Sequence, residues 1–241
     1  MYKRQNFFFG QNGSGKTSIL ESVFIFSSGK SFKSSNIASL INYEHKKFFL
    51  KGYDNIKGYI VEIEKNENKP ISVTLNNKKI TASRLTKEFP CTPIHNNTFS
   101  FADAPPDFRR KLLDRSIFIS EEGFSECWFS YYRSLKQRNS LLKNNRISDI
   151  YTWNVKLSDG GNKLNNMRRN FFNKTIEEFN YLTDLVKPNA VFDFLDVIEI
   201  KFFQGWQEDK SLDNVLQENQ NIDLKRKSTT QGPHKLSLIH I

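Results

Sequence analysis

The sequence predicts an α/β fold with an antiparallel β subdomain and an inserted all-helical lobe, and three observations indicate it. A glycine-rich run at residues 10–17 stands between two apolar segments, which is typical of a strand, a loop and a helix in succession. Residues 47–82 alternate apolar and polar side chains in short runs, as β-strands do. Residues 105–185 then carry apolar side chains at helical spacing, before alternation returns at 192–203. This order favours a helical insertion into one domain over two tandem domains.

The glycine-rich run fills the pattern GxxxxGK(S/T) without a mismatch. Glycines let a backbone wrap tightly, so that successive N–H groups point at phosphate oxygens while the next helix presents its positive end. Lys16 can reach the β and γ phosphates, and the Thr17 hydroxyl can ligate Mg²⁺. The run therefore predicts a nucleoside triphosphate site formed by Gly10, Gln11, Asn12, Gly13, Ser14, Gly15, Lys16, Thr17 and Ser18.

The segments on either side fit a phosphate-binding loop. Residues 6–9 read as the end of a buried strand, and residues 18–26 as an apolar helix that stops near Gly29. A chance match to a short pattern is the alternative, and the register of strand, loop and helix argues against it.

Turn residues and spacing predict the other elements. Asn76-Asn77 separates two alternating runs and predicts a hairpin tip. Pro105-Pro106 predicts a helix start, because proline is tolerated in a first turn. Apolar spacing then predicts helices over 122–144 and 164–185 and a strand over 192–203.

Length and element order together divide the chain into three parts. Its 241 residues can form one large domain or two modest ones with a substantial core. We assign residues 1–100 to a lobe with the glycine-rich loop and the β subdomain, 101–188 to the helical insertion, and 189–241 to the return into the first lobe.

The chain carries a formal charge of +10, from 36 basic and 26 acidic residues. Such an excess predicts a polyanionic partner such as nucleic acid, although a proteome rich in Lys and Asn is an alternative source. No apolar run is long enough to span a membrane, and no signal peptide precedes the glycine-rich loop. Cys91 and Cys127 lack metal-ligand spacing, which indicates reduced thiols in a cytoplasmic protein. Four scattered His residues form no zinc or triad pattern, so we expect no metal beyond the Mg²⁺ of the nucleotide.

Several separate stretches resemble one family, and they run in that family's order over nearly the whole chain. Their combination is similar to the RecF family of bacterial DNA replication and repair proteins, whose ATPase head resembles those of the SMC and ABC proteins. The phosphate loop alone would indicate only a very large superfamily. The matching stretches are FFFGQNGSGKTSILES (7–22), GKSFKS (29–34), PPDFRRKLLD (105–114), YYRSLKQRNSLLK (131–143), Trp153, FFQGW (202–206) and TTQGPHK (229–235).

This resemblance implies an ABC/SMC-like P-loop ATPase head with a helical second lobe. It implies that two protomers close on two ATP molecules and that the closed dimer holds gapped DNA or a junction of single and double strands. It also implies work with RecO and RecR in helping RecA to load at single-strand gaps, in recombinational repair and the SOS response.

The chain also departs from the family pattern. A complete member continues well beyond Ile241, and that part carries the signature segment and the acidic Walker B motif. The family begins with a strand pair ahead of the phosphate loop, and Ser237 stands where an acidic residue is expected. We therefore expect a fragment that binds ATP without efficient turnover, although the full-length member would be a weak ATPase, and we assign no catalytic residue.

Lys136, Arg138 and Lys143 follow three aromatic side chains on one predicted helix. This arrangement could place a basic face beside stacking platforms and contact a DNA backbone. The alternative is a helix whose aromatic residues belong to the core and whose charges are solvated, or one in which LKQRN fixes the packing between lobes.

Four more cations are candidates for DNA contact. Arg109 and Arg110 could reach a nucleotide, DNA or a partner subunit, but a salt bridge to Asp107 or Asp114 is an equal alternative. In the dimer that the resemblance implies, the cations Lys30 and Lys33 could face DNA, or they could simply be solvated.

His234, in the stretch QGPHK, is predicted to be a hydrogen-bonding histidine of the structure and not a catalytic one.

Two rival functions remain open at this stage. A P-loop small-molecule kinase, or another SMC-like ATPase, would bind nucleotide, and ATP binding without DNA binding would favour the kinase. A structural relic would bind neither. A β region and a long helical insertion argue against a kinase.

Overall fold

The computed structural model describes residues 5–94, 104–187 and 198–240. The chain divides into two compact units, Met1–Thr98 and Phe99–Ile241. The second unit includes the helical lobe together with the residues that follow it, and the predicted three-part division stays a prediction.

The first unit combines one four-stranded antiparallel sheet with two α-helices. The strands are adjacent in chain order, so each pairs with the next through a hairpin or a short connection. The prediction of an antiparallel β subdomain is confirmed. The elements are α1 (Lys16–Ser28), a 3₁₀ turn (Ile37–Leu40), β1 (Lys47–Asp54), β2 (Tyr59–Asn66), β3 (Ser72–Leu75), β4 (Lys78–Lys79) and α2 (Ala82–Glu88).

Alternation along the strands builds the core of this unit. Val61 and Ile63 of β2 point to the same face and are buried with Ile25 of α1 and Leu85 of α2. The predicted hairpin tip at Asn76-Asn77 is confirmed, since both residues have positive φ, 48° and 62°, as a type I′ turn requires.

The predicted strand at residues 6–9 is wrong. These residues form no strand in the structure, and the side chains of Phe7 and Phe9 are 71% and 89% exposed. A strand needs a neighbour to take its backbone hydrogen bonds, and none of the described strands pairs with this segment.

The second unit is built on three helices, with a two-stranded antiparallel ribbon and two short helices beside them. The helices predicted from Pro105-Pro106 and over 122–144 are confirmed. Part of the predicted strand 192–203, residues 192–197, lies outside the described residues. The elements are α3 (Pro106–Ser120), α4 (Phe124–Lys143), α5 (Ile150–Val186), β5 (Ile200–Phe203), α6 (Leu212–Glu218), α7 (Gln220–Arg226) and β6 (Ser237–His240).

Helix α5 begins at Ile150, well before the predicted start at residue 164. It runs through Gly160 and Gly161, a pair that weakens a helix on propensity alone. A side chain at Gly161 would come within 2.4 Å of a methyl carbon of Leu212, and one at Gly160 would lie 3.6 Å from the Tyr131 Cα atom. The glycines therefore allow α4 and α6 to approach α5 closely, and this packing outweighs the propensity.

Candidate nucleotide-binding site and basic surfaces

The glycine-rich loop has the backbone that its sequence predicts. Gly10, Gly13 and Gly15 have φ values of 156°, 85° and 86°, a region that favours glycine. A Cβ atom on Gly10 would lie only 2.7 Å from the Ser14 hydroxyl oxygen, so the loop closes on itself at this point. Gly15 is the N-cap of α1, and the first turn of that helix carries no acidic residue. The positive end of α1 is therefore not neutralised by its own side chains.

The ammonium group of Lys16 lies against the loop. It donates hydrogen bonds to the carbonyl oxygens of Gly10 and Gln11, both at 2.7 Å. The backbone N–H of Ser14 donates to the Gln11 carbonyl at 3.2 Å and completes the turn. Thr17 is exposed in the first turn of the helix. A cation, free N–H groups at a helix start and a hydroxyl thus occupy one small region, and this donor set fits a triphosphate with Mg²⁺.

The loop after α1 is held by Glu21, a residue that the sequence analysis did not single out. Its buried carboxylate accepts a hydrogen bond from the Ser31 hydroxyl. The Ser31 oxygen in turn accepts from the backbone N–H groups of Lys33 and Ser34, at 3.0 and 2.9 Å. Lys30 and Lys33 are both exposed on this anchored loop, where their contact with DNA stays a prediction.

Arg138, in contrast, is not available to DNA, and its assignment as a DNA contact is wrong in this structure. Its side chain is 0% exposed. The guanidinium donates to Asn154 Oδ1 at 2.6 Å, to Asp223 Oδ2 at 2.6 Å and to Thr229 Oγ1 at 2.8 Å. A buried charge is tolerated only when it is paired and hydrogen-bonded, and these bonds meet that requirement. Arg138 of LKQRN therefore has a packing role within the second unit, while a role of LKQRN in packing between lobes stays a prediction.

Residues 229–236, which we call the clasp segment, are held by further side-chain hydrogen bonds. Arg168 of α5 donates to the Pro233 carbonyl at 2.7 Å while it pairs with Asp114 of α3. Arg110 of α3 donates to the Leu236 carbonyl at 2.5 Å. Asn139 of α4 accepts from the backbone N–H of Thr229 at 2.8 Å. Side chains from all three long helices therefore hold one short stretch of chain.

His234 has the structural role that was predicted. Its Nε2 atom lies 3.0 Å from the Thr229 carbonyl and its Nδ1 atom 2.7 Å from the Tyr131 hydroxyl. The carbonyl can only accept, so Nε2 carries the proton and Nδ1 accepts from Tyr131. Burial lowers the pKa of His234 to about 4, and burial also raises the pKa of Tyr131. The histidine is therefore neutral near pH 7.

Glycines complete the clasp segment. The N–H of Gly232 donates to the Gly205 carbonyl at 3.0 Å, and a Cβ atom on Gly205 would lie 2.3 Å from the Gly232 carbonyl oxygen. Gly205 belongs to FFQGW and Gly232 to QGPHK. Arg110 and Asn139, which also contact this segment, belong to PPDFRRKLLD and YYRSLKQRNSLLK, so four of the family-like stretches meet here. The sequence carried a signal for the burial of Arg138 and Asn154, because both occupy positions on the apolar face of their helices.

The remaining candidate cations lie in different surroundings. Lys136 and Lys143 are exposed on α4. Arg110 pairs with Asp107 at 3.5 Å, which is the salt bridge that was left open as an alternative. Arg109 is half-buried and has at least one interaction partner.

Two features are absent from residues 5–94, 104–187 and 198–240. They contain no group of three or more His, Cys, Asp or Glu side chains that could hold a metal ion. None of their helices has both the length and the apolar composition needed to cross a membrane.

Curated proteins similar to this chain include RecF proteins of several bacteria. The chain is 32% identical to the DNA replication and repair protein RecF of Pseudoalteromonas translucida over 95% of its length, and covers 64% of that protein. It is 33% identical to RecF of Francisella tularensis over 97% of its length, and covers 66% of that protein. The chain thus spans about two thirds of the length of these relatives. No family model matches it.

Solved structures show the same fold. Two structures of the recombination mediator protein RecF in the RecFOR pathway, with ATP and with ATPrS, superpose with TM-scores of 0.76 and 0.74. Both are 21% identical in sequence and cover 97% of this chain, which covers 65% and 66% of theirs. The predicted α/β fold of a P-loop ATPase head is confirmed.

Replacing Lys16 by Ala should weaken ATP binding by at least about tenfold, because the loop loses its only side-chain cation opposite the phosphates. Isothermal titration with ATP and Mg²⁺ measures the affinity. Lys30→Ala removes an exposed cation beyond the other end of α1 and serves as the control. Equal affinities for Lys16→Ala and the unaltered chain would rule out the nucleotide site.

Arg138→Met should lower the free energy of unfolding of the second unit by about 3–5 kcal/mol, because Asp223 is left buried and unpaired. All three tryptophans lie in this unit, so denaturation followed by their fluorescence reports on it. The exposed control Lys136→Met should change stability by less than about 0.5 kcal/mol. Similar losses in both variants would contradict the buried network.

The neutral His234 predicts a loss of stability in acid. In the unfolded chain this histidine binds a proton near its ordinary pKa of 6.5, whereas the folded chain resists protonation down to about pH 4. Stability should therefore fall as the pH drops from about 6.5 towards 4, by up to about 3 kcal/mol. His234→Gln should flatten this part of the curve, measured by tryptophan fluorescence, and the exposed control His45→Gln should leave it unchanged. An unaltered curve in His234→Gln would refute the assignment.

Proposed function

The chain belongs to the RecF family, and from this premise we propose that it is an ATP-dependent DNA-binding protein of DNA replication and recombinational repair. The glycine-rich loop is the observation that carries the proposal, since its backbone and its lysine have the arrangement that binds phosphate. The RecF structures with ATP and ATPrS support the choice of nucleotide.

The residues of the loop divide the work of binding. Lys16 and the N–H groups from Gly10 to Thr17 orient and neutralise the phosphates, and Ser18 lies in the first turn of α1. The Thr17 hydroxyl would hold Mg²⁺, which would screen charge on the phosphate oxygens. We assign no residue of this chain to water activation, and we propose that it binds ATP without efficient turnover.

For the whole protein we propose a dimer whose closure on DNA is controlled by ATP. The family relationship supports gapped DNA, or a junction of single and double strands, as its target. It also supports RecR and RecO as partners, an indirect action on RecA and the SOS response, and a cytoplasmic location. The charge of +10 is consistent with a polyanion, and a steep salt dependence is therefore expected.

Binding to gapped DNA across a salt series, with and without ATP and Mg²⁺, tests this function. Each phosphate that is neutralised should contribute about −0.9 to the slope of log K against log[salt]. The measurement is made on this chain and on a protein of the full length of its relatives, with Lys16→Ala as the control for nucleotide. Stimulation by ATP in the longer protein is expected. Tight ATP binding without DNA binding would overturn the proposal in favour of a small-molecule kinase.

A further inference from the structure

Helix α4 presents a basic stripe on the face opposite to its buried one. Arg133, Lys136 and Lys143 are exposed and lie three or seven residues apart, which places them along one side of the helix. Arg146 continues the exposed charge just after the helix ends. The opposite side of α4 is buried and includes Arg138, so the charges on the stripe are separate from the network of the clasp segment.

Helix α7 ends in a second group of cations. Lys225, Arg226 and Lys227 are consecutive and exposed, and Lys227 adopts a left-handed conformation at the C-cap. Like charges that follow one another repel, and an anion between them would relieve the repulsion.

The two groups are brought together by buried contacts. Asp223 of α7 pairs with Arg138 of α4 at 2.6 Å. Asn139 of α4, one turn from both Lys136 and Lys143, accepts hydrogen bonds from the backbone N–H and the hydroxyl of Thr229, two residues beyond Lys227. Because Arg138 lies on the buried side of α4, it is the contact at Asn139, on the flank of the helix, that places the end of α7 at the edge of the stripe. We define the basic surface as Arg133, Lys136, Lys143, Arg146, Lys225, Arg226 and Lys227.

None of the seven side chains of the basic surface makes an ion pair with any residue that the structure describes. Two other lysines of the same unit, Lys111 and Lys210, do have acidic partners. Lys111 pairs with Asp107 at 2.6 Å, and Lys210 with Glu218 at 2.6 Å.

The helix dipole alone would favour cations in a last turn, but that explanation does not reach Arg133 and Lys136 in the middle of α4. The seven unpaired charges therefore point to an external polyanion.

We propose that the basic surface binds the phosphate backbone of DNA. The stripe from Arg133 to Lys143 extends about 15 Å along the helix at 1.5 Å per residue, which matches the rise of about four to five nucleotides of one strand. Lysine and arginine side chains on a convex helix face contact phosphates and read no sequence, so binding is independent of base sequence. This inference rests on the proposed function and names the surface through which DNA is held.

The test is the triple variant Arg133→Ala/Lys136→Ala/Lys143→Ala, measured for gapped-DNA affinity over a salt series. Its slope of log K against log[salt] should be less steep by up to about 2.7, since each lost phosphate contact removes about 0.9, and its affinity at low salt should fall at least about tenfold. Changing Lys225, Arg226 and Lys227 together to Ala should act in the same direction.

The control variant Lys111→Ala/Lys174→Ala/Lys210→Ala removes the same number of charges from the same unit, but from side chains that have acidic partners. It should keep the slope of the unaltered chain, and tryptophan fluorescence should show unchanged unfolding in every variant.

The outcomes separate the inference from the proposed function. If the unaltered chain binds DNA and the triple variant keeps both slope and affinity, the basic surface is not the DNA site, while the proposed function stands. If the triple variant is no longer retained on immobilised polyglutamate but binds DNA as the unaltered chain does, the basic surface binds an acidic protein instead, and the inference is overturned. If the unaltered protein binds no DNA in any nucleotide state, both fail.

Discussion

The second unit depends on one constraint, which is that a buried guanidinium must have its N–H groups bonded. Arg138 and Arg168 are both 0% exposed. Each donates a hydrogen bond to an oxygen atom of the clasp segment and also pairs with a carboxylate. Displacing that segment would remove the Thr229 acceptor of Arg138 and the Pro233 acceptor of Arg168 and would leave buried N–H groups unsatisfied, which costs about 1–3 kcal/mol for each lost partner. The three long helices and the chain after residue 198 are therefore bound into one cooperative body.

This constraint changes what the family resemblance means for this chain. Most of the distinctive stretches in the second unit supply parts of the clasp: Arg110 from α3, Arg138 from α4 and the segment 229–236 itself. These stretches therefore have a packing role in this chain. The proposed nucleotide site lies elsewhere, in the glycine-rich loop, which is itself one of the matching stretches. The proposed DNA contacts are exposed cations that fall partly outside the stretches.

The sequence was sufficient where local rules decide the structure. The Asn76-Asn77 turn and the helix that follows the phosphate loop depend on nearby residues. It was insufficient where distant residues decide. Arg138 looks like a surface cation until Asp223, far along the chain, is placed against it. Gly160-Gly161 looks like a break in a helix until Tyr131 and Leu212 are packed on it. Phe7 and its neighbours look like a buried strand by their apolar character, but none of the described strands pairs with them and their side chains are exposed.

The hydrogen bonds of Lys16 have a consequence for how the loop meets its ligand. The ammonium group already has two carbonyl oxygens as partners at 2.7 Å. A phosphate that approaches the loop must compete with them, so occupancy is an exchange of acceptors and not the filling of an unused one. A phosphate oxygen carries charge and a carbonyl oxygen does not, so the exchange favours the phosphate, but by less than a new contact to an unbonded ammonium group would.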